Sequence, residues 1–271
     1  MSCPLVIVLD ISPEFWANCT RFSIGEVLDV CIALIRSLAF QSGACEFAII
    51  AAFPENCEYL ISGNFHEIFM ARKKLENLLN ARKSNGLDGE ALIGKAVSMA
   101  VCYLNRFGCS GRIIVFETSR IFTDFSKQTV ALSNCGWALV PDKGVVDVVS
   151  LGSDEPSSAV MNLVQKTGGI NIPFSMTQTA PGLLQALLFL MAAPADGLLK
   201  VCRPKQNQSA HMGAVCVCHS DPLERGYVCS VCLAIYCSEA LNACSTCGSR
   251  IRRDDRSELS LNMQSFGDLQ V

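Results

Sequence analysis

The chain has 271 residues, half of them hydrophobic and only 17% charged, with a formal net charge of −3. That balance excludes long disorder, which needs low hydrophobicity and high charge, and it excludes a general nucleic-acid binder, which needs a basic stripe. The length suits one large domain plus a small one.

Taken in order, the first two hundred residues alternate strand and helix signals. Residues 5–9 form a continuous apolar run rich in branched side chains, the pattern of a central parallel strand, and the run stops at Asp10. Ile11-Ser12-Pro13-Glu14 reads as the loop that follows. Ser23 is placed to cap a helix over 24–40 that is apolar on most faces and so expected deep in the core. Residues 46–53 read as the second strand and 57–62 as its hairpin partner. The charge-rich stretch 65–82 reads as a surface helix. Asp88 can cap a helix over 89–107, which places Leu92, Ala96, Met99, Ala100 and Tyr103 on one face and ends at Gly108. Strand 112–117, helix 124–135, strand 145–151, helix 157–167 closed by Gly168-Gly169, and a short strand over 170–174 complete the alternation. A closing helix over 181–192 carries Pro181 in its first turn.

Such alternation predicts an α/β fold: an open, mostly parallel sheet with helices on both faces. Ligand crevices in these sheets lie at the carboxyl ends of the strands, so the loops after Asp10 and Glu117 are expected near each other. The α/β domain is assigned to residues 1–193, a polar linker to 194–214, a cysteine module to 215–251 and a mobile tail to 252–271. The longest apolar run, 183–195, is interrupted by Gln185 and falls short of the roughly 20 residues a membrane helix needs.

The cysteines carry the sharpest signal. Of the sixteen, nine are scattered from Cys3 to Cys202 without paired spacing. With no leader-like apolar segment behind the opening Met-Ser-Cys-Pro, they read as small buried side chains in a reducing compartment. Near the C-terminus, Cys229-Ser-Val-Cys232 and Cys244-Ser-Thr-Cys247 form two C-x-x-C pairs separated by eleven residues. Each pair can fold as a knuckle offering two sulfurs to one ion, and two facing knuckles complete a tetrahedron around Zn²⁺. Four thiolates leave no open coordination position, so the site is structural. Cys216, Cys218, His219 and Cys237 are further donors in the same module, fit either for a second zinc site or for packing around the first; His219 is also a candidate to replace one of the four cysteines.

An open α/β domain whose first strand ends in Asp, followed by a compact cysteine module, resembles the von Willebrand A subunits of general transcription factor IIH, specifically the smaller kind with one C4 finger. The residues that carry the resemblance are Gly226-Tyr227-Val228-Cys229-Ser230-Val231-Cys232-Leu233 with Cys244 and Cys247, then Cys216-Val217-Cys218-His219, then Leu5-Val6-Ile7-Val8-Leu9-Asp10. The resemblance implies a non-enzymatic core subunit of a nuclear complex that serves RNA polymerase II transcription initiation and nucleotide excision repair. It also implies, as partners, the larger von Willebrand A/RING-type subunit and other core subunits, without direct sequence-specific nucleic-acid contact and without a membrane.

Many von Willebrand A domains hold Mg²⁺ through D-x-S-x-S, a distant Thr and a distant Asp. Here the loop reads Asp10-Ile11-Ser12-Pro13-Glu14, the Thr position reads Glu90-Ala91-Leu92, and the late Asp corresponds to Glu117. Asp10, Ser12, Glu14 and Glu117 are the residues that would gather an ion; the competing expectation is that Asp10 and Ser12 bond loop backbone instead. His66, His211 and His219 sit in no hydrolase or kinase motif, and no glycine-rich phosphate loop follows a strand. Arg250, Arg252, Arg253 and Arg256, diluted by Asp254 and Asp255, read as a solvated group. The alternatives are an adaptor of the proteasomal ubiquitin-receptor type, a metal-dependent ligand binder using the Asp10 loop, and an open α/β enzyme.

Overall fold

Two compact units divide the chain, Met1–Met212 and Gly213–Val271. The structure, a computed structural model, describes residues 4–42, 46–63, 65–83, 89–108, 111–118, 125–140, 144–152, 156–173, 179–190, 214–218, 222–223, 226–232, 234–237 and 243–250. All but the last residue of the expected linker, 194–214, and the whole of the expected mobile tail, 252–271, lie outside those residues.

Among the described residues, the first unit is built on six strands: β1 (Leu5–Asp10), β2 (Phe47–Ala52), β3 (Cys57–Ser62), β4 (Arg112–Glu117), β5 (Val145–Ser150) and β6 (Asn171–Ile172), in the order β3-β2-β1-β4-β5-β6. Every neighbouring pair is parallel except β2 with β3. Residues 53–56 are too few for a crossover, so β3 turns back as a hairpin, whereas the longer connections carry helices. These are α1 (Pro13–Asn18), α2 (Ile24–Ser42), α3 (Phe65–Lys83), α4 (Ile93–Asn105), α5 (Phe125–Leu139), α6 (Ser158–Thr167) and α7 (Ala180–Leu190).

All six residues of β1 are buried, because both faces of the sheet are covered. Side chains alternate along a strand, so Leu5, Ile7 and Leu9 enter one core with α2, α3 and α7, while Val6 and Val8 enter a second core with α4, α5 and α6. β1 pairs with β2 on one side and with β4 on the other, and this reversal of winding brings Asp10 and Glu117 to the same carboxyl end of the sheet.

Local chemistry explains the helix ends. Ser23 and Glu26 form a reciprocal capping box at α2: the Ser23 hydroxyl accepts the Glu26 N–H at 3.2 Å, and the Glu26 carboxylate accepts the Ser23 N–H at 2.6 Å. Ser157 caps α6, which closes on Gly168 in the left-handed conformation at φ 70°.

Three elements differ from the sequence reading. The stretch read as a loop after Asp10 contains a helix, α1, started by Pro13 at a position where a missing N–H costs nothing. The helix expected from Gly89 begins at Ile93, because the Ala91 N–H is taken by the Ser12 hydroxyl and the Leu92 N–H by the Phe53 carbonyl, which hold this segment over the strand ends. Asp88, the expected cap, lies outside the described residues. Helix α2 buries one broad face, through Val27, Leu28, Cys31, Leu34 and Ile35, and leaves Phe40 92% exposed.

The described residues of the second unit include four two-residue strands in antiparallel pairs, β7 (Ala214–Val215) with β8 (Pro222–Leu223) and β9 (Tyr227–Val228) with β10 (Ile235–Tyr236). An isolated bridge joins Ala243 to Arg250. Among the described residues, no helix is long and apolar enough to cross a membrane.

Candidate metal centre

At the carboxyl end of the sheet, the residues expected as a degenerate ion site are engaged with one another. Asp10 Oδ1 accepts the Ser12 N–H at 3.0 Å and the Ser12 hydroxyl at 2.5 Å; its Oδ2 accepts the Thr118 N–H at 2.9 Å and the Thr118 hydroxyl at 2.7 Å. Glu117 accepts the Ser157 hydroxyl at 2.5 Å and the Ser157 N–H at 3.1 Å. Glu14 is exposed on α1 and does not join them in a convergent group. Burial pushes the Asp10 carboxyl above its ordinary value, against the pull of its four donors. Burial, with the charge of Asp10 nearby, pushes Glu117 up to about 8 although Ser157 opposes it. Near neutral pH, Glu117 therefore keeps its proton. Gln128 completes the rim: its amide donates to the Ala91 carbonyl at 2.8 Å and accepts the Gly94 N–H at 2.7 Å, capping α4. Thr118, Ser157 and Gln128 escaped the sequence reading.

The four paired cysteines converge in the second unit. The sulfurs of Cys229, Cys232, Cys244 and Cys247 all lie within 4.8 Å of one another, with Cys232–Cys244 at 3.6 Å and Cys229–Cys247 at 3.8 Å. The first knuckle is held by the Cys229 N–H donating to the Ala234 carbonyl at 2.9 Å, at the start of the β9–β10 ribbon. The second is held by the Cys244 N–H donating to Ser249 and the Gly248 N–H donating to Cys244, each at 2.8 Å. Gly248 sits at φ 70°, a conformation that glycine enters without steric cost.

Hydroxyls surround the sulfurs. Tyr236, buried at the end of β10, places its hydroxyl 3.0 Å from Cys244, and that oxygen in turn accepts the Thr246 N–H at 3.2 Å. Ser249 lies 3.0 Å from Cys247 and 3.6 Å from Cys229. These partners fix thiolate orientation and spread its charge. Burial pushes the Cys229 thiol up, but the Cys232 N–H, the Ser249 hydroxyl and the Val231 N–H outweigh it and draw it down to about 6. Cys232 is pushed up to about 12 by burial and by its sulfur neighbours. The Cys232 thiol thus resists losing its proton, whereas a divalent cation among the sulfurs would compensate thiolate charge there. The donor set, its spacing and its surroundings fit a bound metal ion.

A second group is present: Cys216, Cys218 and Cys237 also hold their sulfurs within 4.8 Å of one another. His219, the remaining donor of that stretch, lies outside the described residues.

Comparison with known proteins identifies the family. The profile described as transcription factor Tfb4 matches residues 66–248, from the first turn of α3 to one residue past Cys247. The Arabidopsis thaliana protein named General transcription and DNA repair factor IIH subunit TFB4 is 28% identical, over 94% of this chain and 92% of that protein. The Schizosaccharomyces pombe protein of the same name is 25% identical, over 91% and 88%. Among solved structures, the TFIIH p34 N-terminal domain superposes with a TM-score of 0.59 at 17% identity, covering 70% of this chain and 97% of that one, and so shares the von Willebrand A-like fold of the first unit. With a match that takes in most of the α/β unit and both cysteine pairs, the chain belongs to the Tfb4 family of transcription factors.

Proposed function

We propose that this protein is a non-catalytic structural subunit of the transcription factor IIH core, acting in the nucleus in RNA polymerase II transcription initiation and nucleotide excision repair. In this reading it works by binding the larger von Willebrand A subunit, with one contact from the α/β unit and one from the cysteine module. The observation that carries the proposal is the extent of the family match, which crosses from the α/β unit into the cysteine module. Relatives named as subunits of general transcription and DNA repair factor IIH, matched along nearly their whole length, support it. The strand-end carboxylates support a scaffold rather than a catalyst, since Asp10 and Glu117 are tied into hydrogen bonds with Ser12, Thr118 and Ser157.

The same reading assigns a structural Zn²⁺ to Cys229, Cys232, Cys244 and Cys247. Four sulfurs about 2.3 Å from one ion stand about 3.8 Å apart at tetrahedral corners, which is close to the separations in the quartet. The ion supplies folding energy and no chemistry, because no coordination position stays open.

The test is affinity purification of the full chain from nuclear extract, with identification of bound proteins. Transcription factor IIH subunits, the larger von Willebrand A subunit among them, are expected to co-purify. Calorimetric titration of that subunit with the wild-type and Cys232→Ala chains then measures the contribution of the module. Weaker but persistent binding by the variant is expected; absence of every factor IIH subunit from the purified material would refute the assignment.

A further inference from the structure

Cys216, Cys218 and Cys237 belong to neither C-x-x-C pair, yet their thiols converge. We propose that they form a second zinc site, one that uses none of the four thiols of the first and stands or falls apart from it.

The local backbone builds this group as deliberately as the first. β7 leads into Cys216, and the Val217 N–H donates to the Ile235 carbonyl at 2.9 Å, which holds the Cys216-Val217-Cys218 turn against β10. The Cys218 N–H points back at the Cys216 sulfur at 3.2 Å, a bond that stabilises a thiolate at the apex of a tight turn. Cys237 follows β10 directly. Side chains alternate along an extended segment, so Tyr236 turns its hydroxyl to Cys244 while Cys237 turns its sulfur to Cys216 and Cys218. One short ribbon thereby serves two sulfur clusters on opposite sides.

Apolar packing does not account for the three thiols. Cys216 is buried, but Cys218 and Cys237 are exposed, and an exposed thiol contributes nothing to a core. Among the described residues the module's own core is small: Cys229, Ala234, Tyr236 and Cys244, with Val217, Cys232 and Cys247 against them. Units this small need a covalent or metal staple, and the β7–β8 half of the module contains none of the C4 ligands. Three thiolates select a borderline-soft divalent cation such as Zn²⁺ over Mg²⁺ or Ca²⁺, and the fourth corner falls to a further donor or a water molecule.

The experiment is elemental analysis of the full chain, purified under reducing conditions in limiting chelator, alongside Cys237→Ser, Cys218→Ser and Cys232→Ala. The wild type should carry two zinc equivalents. Cys237→Ser and Cys218→Ser should each fall to one, and Cys232→Ala should fall to one by losing the other ion. One equivalent in the wild type that Cys237→Ser leaves in place overturns the proposal, as does a Cys237→Ser chain that keeps two. A disulfide between Cys237 and either Cys216 or Cys218, detected by non-reducing mass analysis of the freshly purified chain, overturns it as well. One equivalent that disappears in Cys237→Ser and survives in Cys232→Ala would uphold this site and refute the C4 assignment.

Discussion

In the α/β unit, β1 buries all six of its residues, and helices cover both faces of the sheet. In the cysteine module, β9 leaves Tyr227 and Val228 about half exposed, and the buried cluster among the described residues amounts to four side chains, two of them cysteines. The first unit offers two apolar cores; the described part of the second offers one small cluster, the situation in which small units rely on a covalent or metal staple. What replaces the missing core is a pattern of sulfur atoms whose mutual separation suits an ion. The same contrast appears within the α/β unit. Where a von Willebrand A domain can hold Mg²⁺, this chain supplies Ser12 and Thr118 as donors to Asp10 and retains a proton on Glu117, so hydrogen bonds do there what a cation is proposed to do in the module.

The largest expected effect lies in the module. Cys232→Ala removes one corner of the C4 site, and structural zinc of this kind is worth about 10–16 kcal/mol in apparent binding energy. The C4 knuckles are expected to unfold locally, while the Cys216, Cys218 and Cys237 group and the melting temperature of the α/β unit stay as they were. Elemental analysis with circular dichroism checks this; undiminished zinc would remove Cys232 from the site.

The reverse lesion sharpens the comparison. Leu34 on α2 is fully buried, so Leu34→Ala should cost about 2–5 kcal/mol of α/β stability and leave zinc content unchanged. Urea unfolding gives the first quantity and elemental analysis the second. A parallel loss of zinc would show the two units to be one cooperative system.

Next comes the pH dependence written into Glu117. Its carboxyl rises from 4.5 to about 8 on folding, so the native state binds a proton that the unfolded chain releases. The stability from this group is fully present below about pH 4.5 and is lost as pH rises through about 8, on the order of 5 kcal/mol across the window. Glu117→Gln, which keeps the neutral shape, should flatten that part of the profile. Identical profiles for the two chains would show that Glu117 titrates normally. The smallest effect concerns Mg²⁺: because Asp10 already accepts four hydrogen bonds, excess Mg²⁺ should shift the melting temperature of the α/β unit by nothing measurable. A rise that disappears in Asp10→Ala would contradict this.

Much of the α/β unit is legible in the chain because its information is local. The runs 57–62 and 112–117 are strands over their whole predicted length, and Ser23 with Glu26 announces a helix start within four residues. The convergence of the four paired cysteines is legible for the same reason, since C-x-x-C spacing encodes a knuckle. What escapes is set by tertiary contact. The Asp10–Thr118 bond spans 108 positions and the Glu117–Ser157 bond 40, and no periodicity announces either. The late start of α4 depends on Ser12 and Phe53 holding the N–H groups of Ala91 and Leu92. Tyr236 reads as an ordinary strand residue until the fold sets its hydroxyl beside Cys244.

Amide hydrogen exchange of the intact chain, with and without a zinc chelator, tests the contrast most directly. It resolves the two units in one sample. If the module folds around its thiolate-bound ion and the α/β unit around its apolar cores, chelation abolishes protection at Cys229, Tyr236 and Cys244, while β1, β2 and β4 exchange as slowly as before. Protection in the module that survives complete removal of zinc, or protection in β1 that falls with it, would contradict the account.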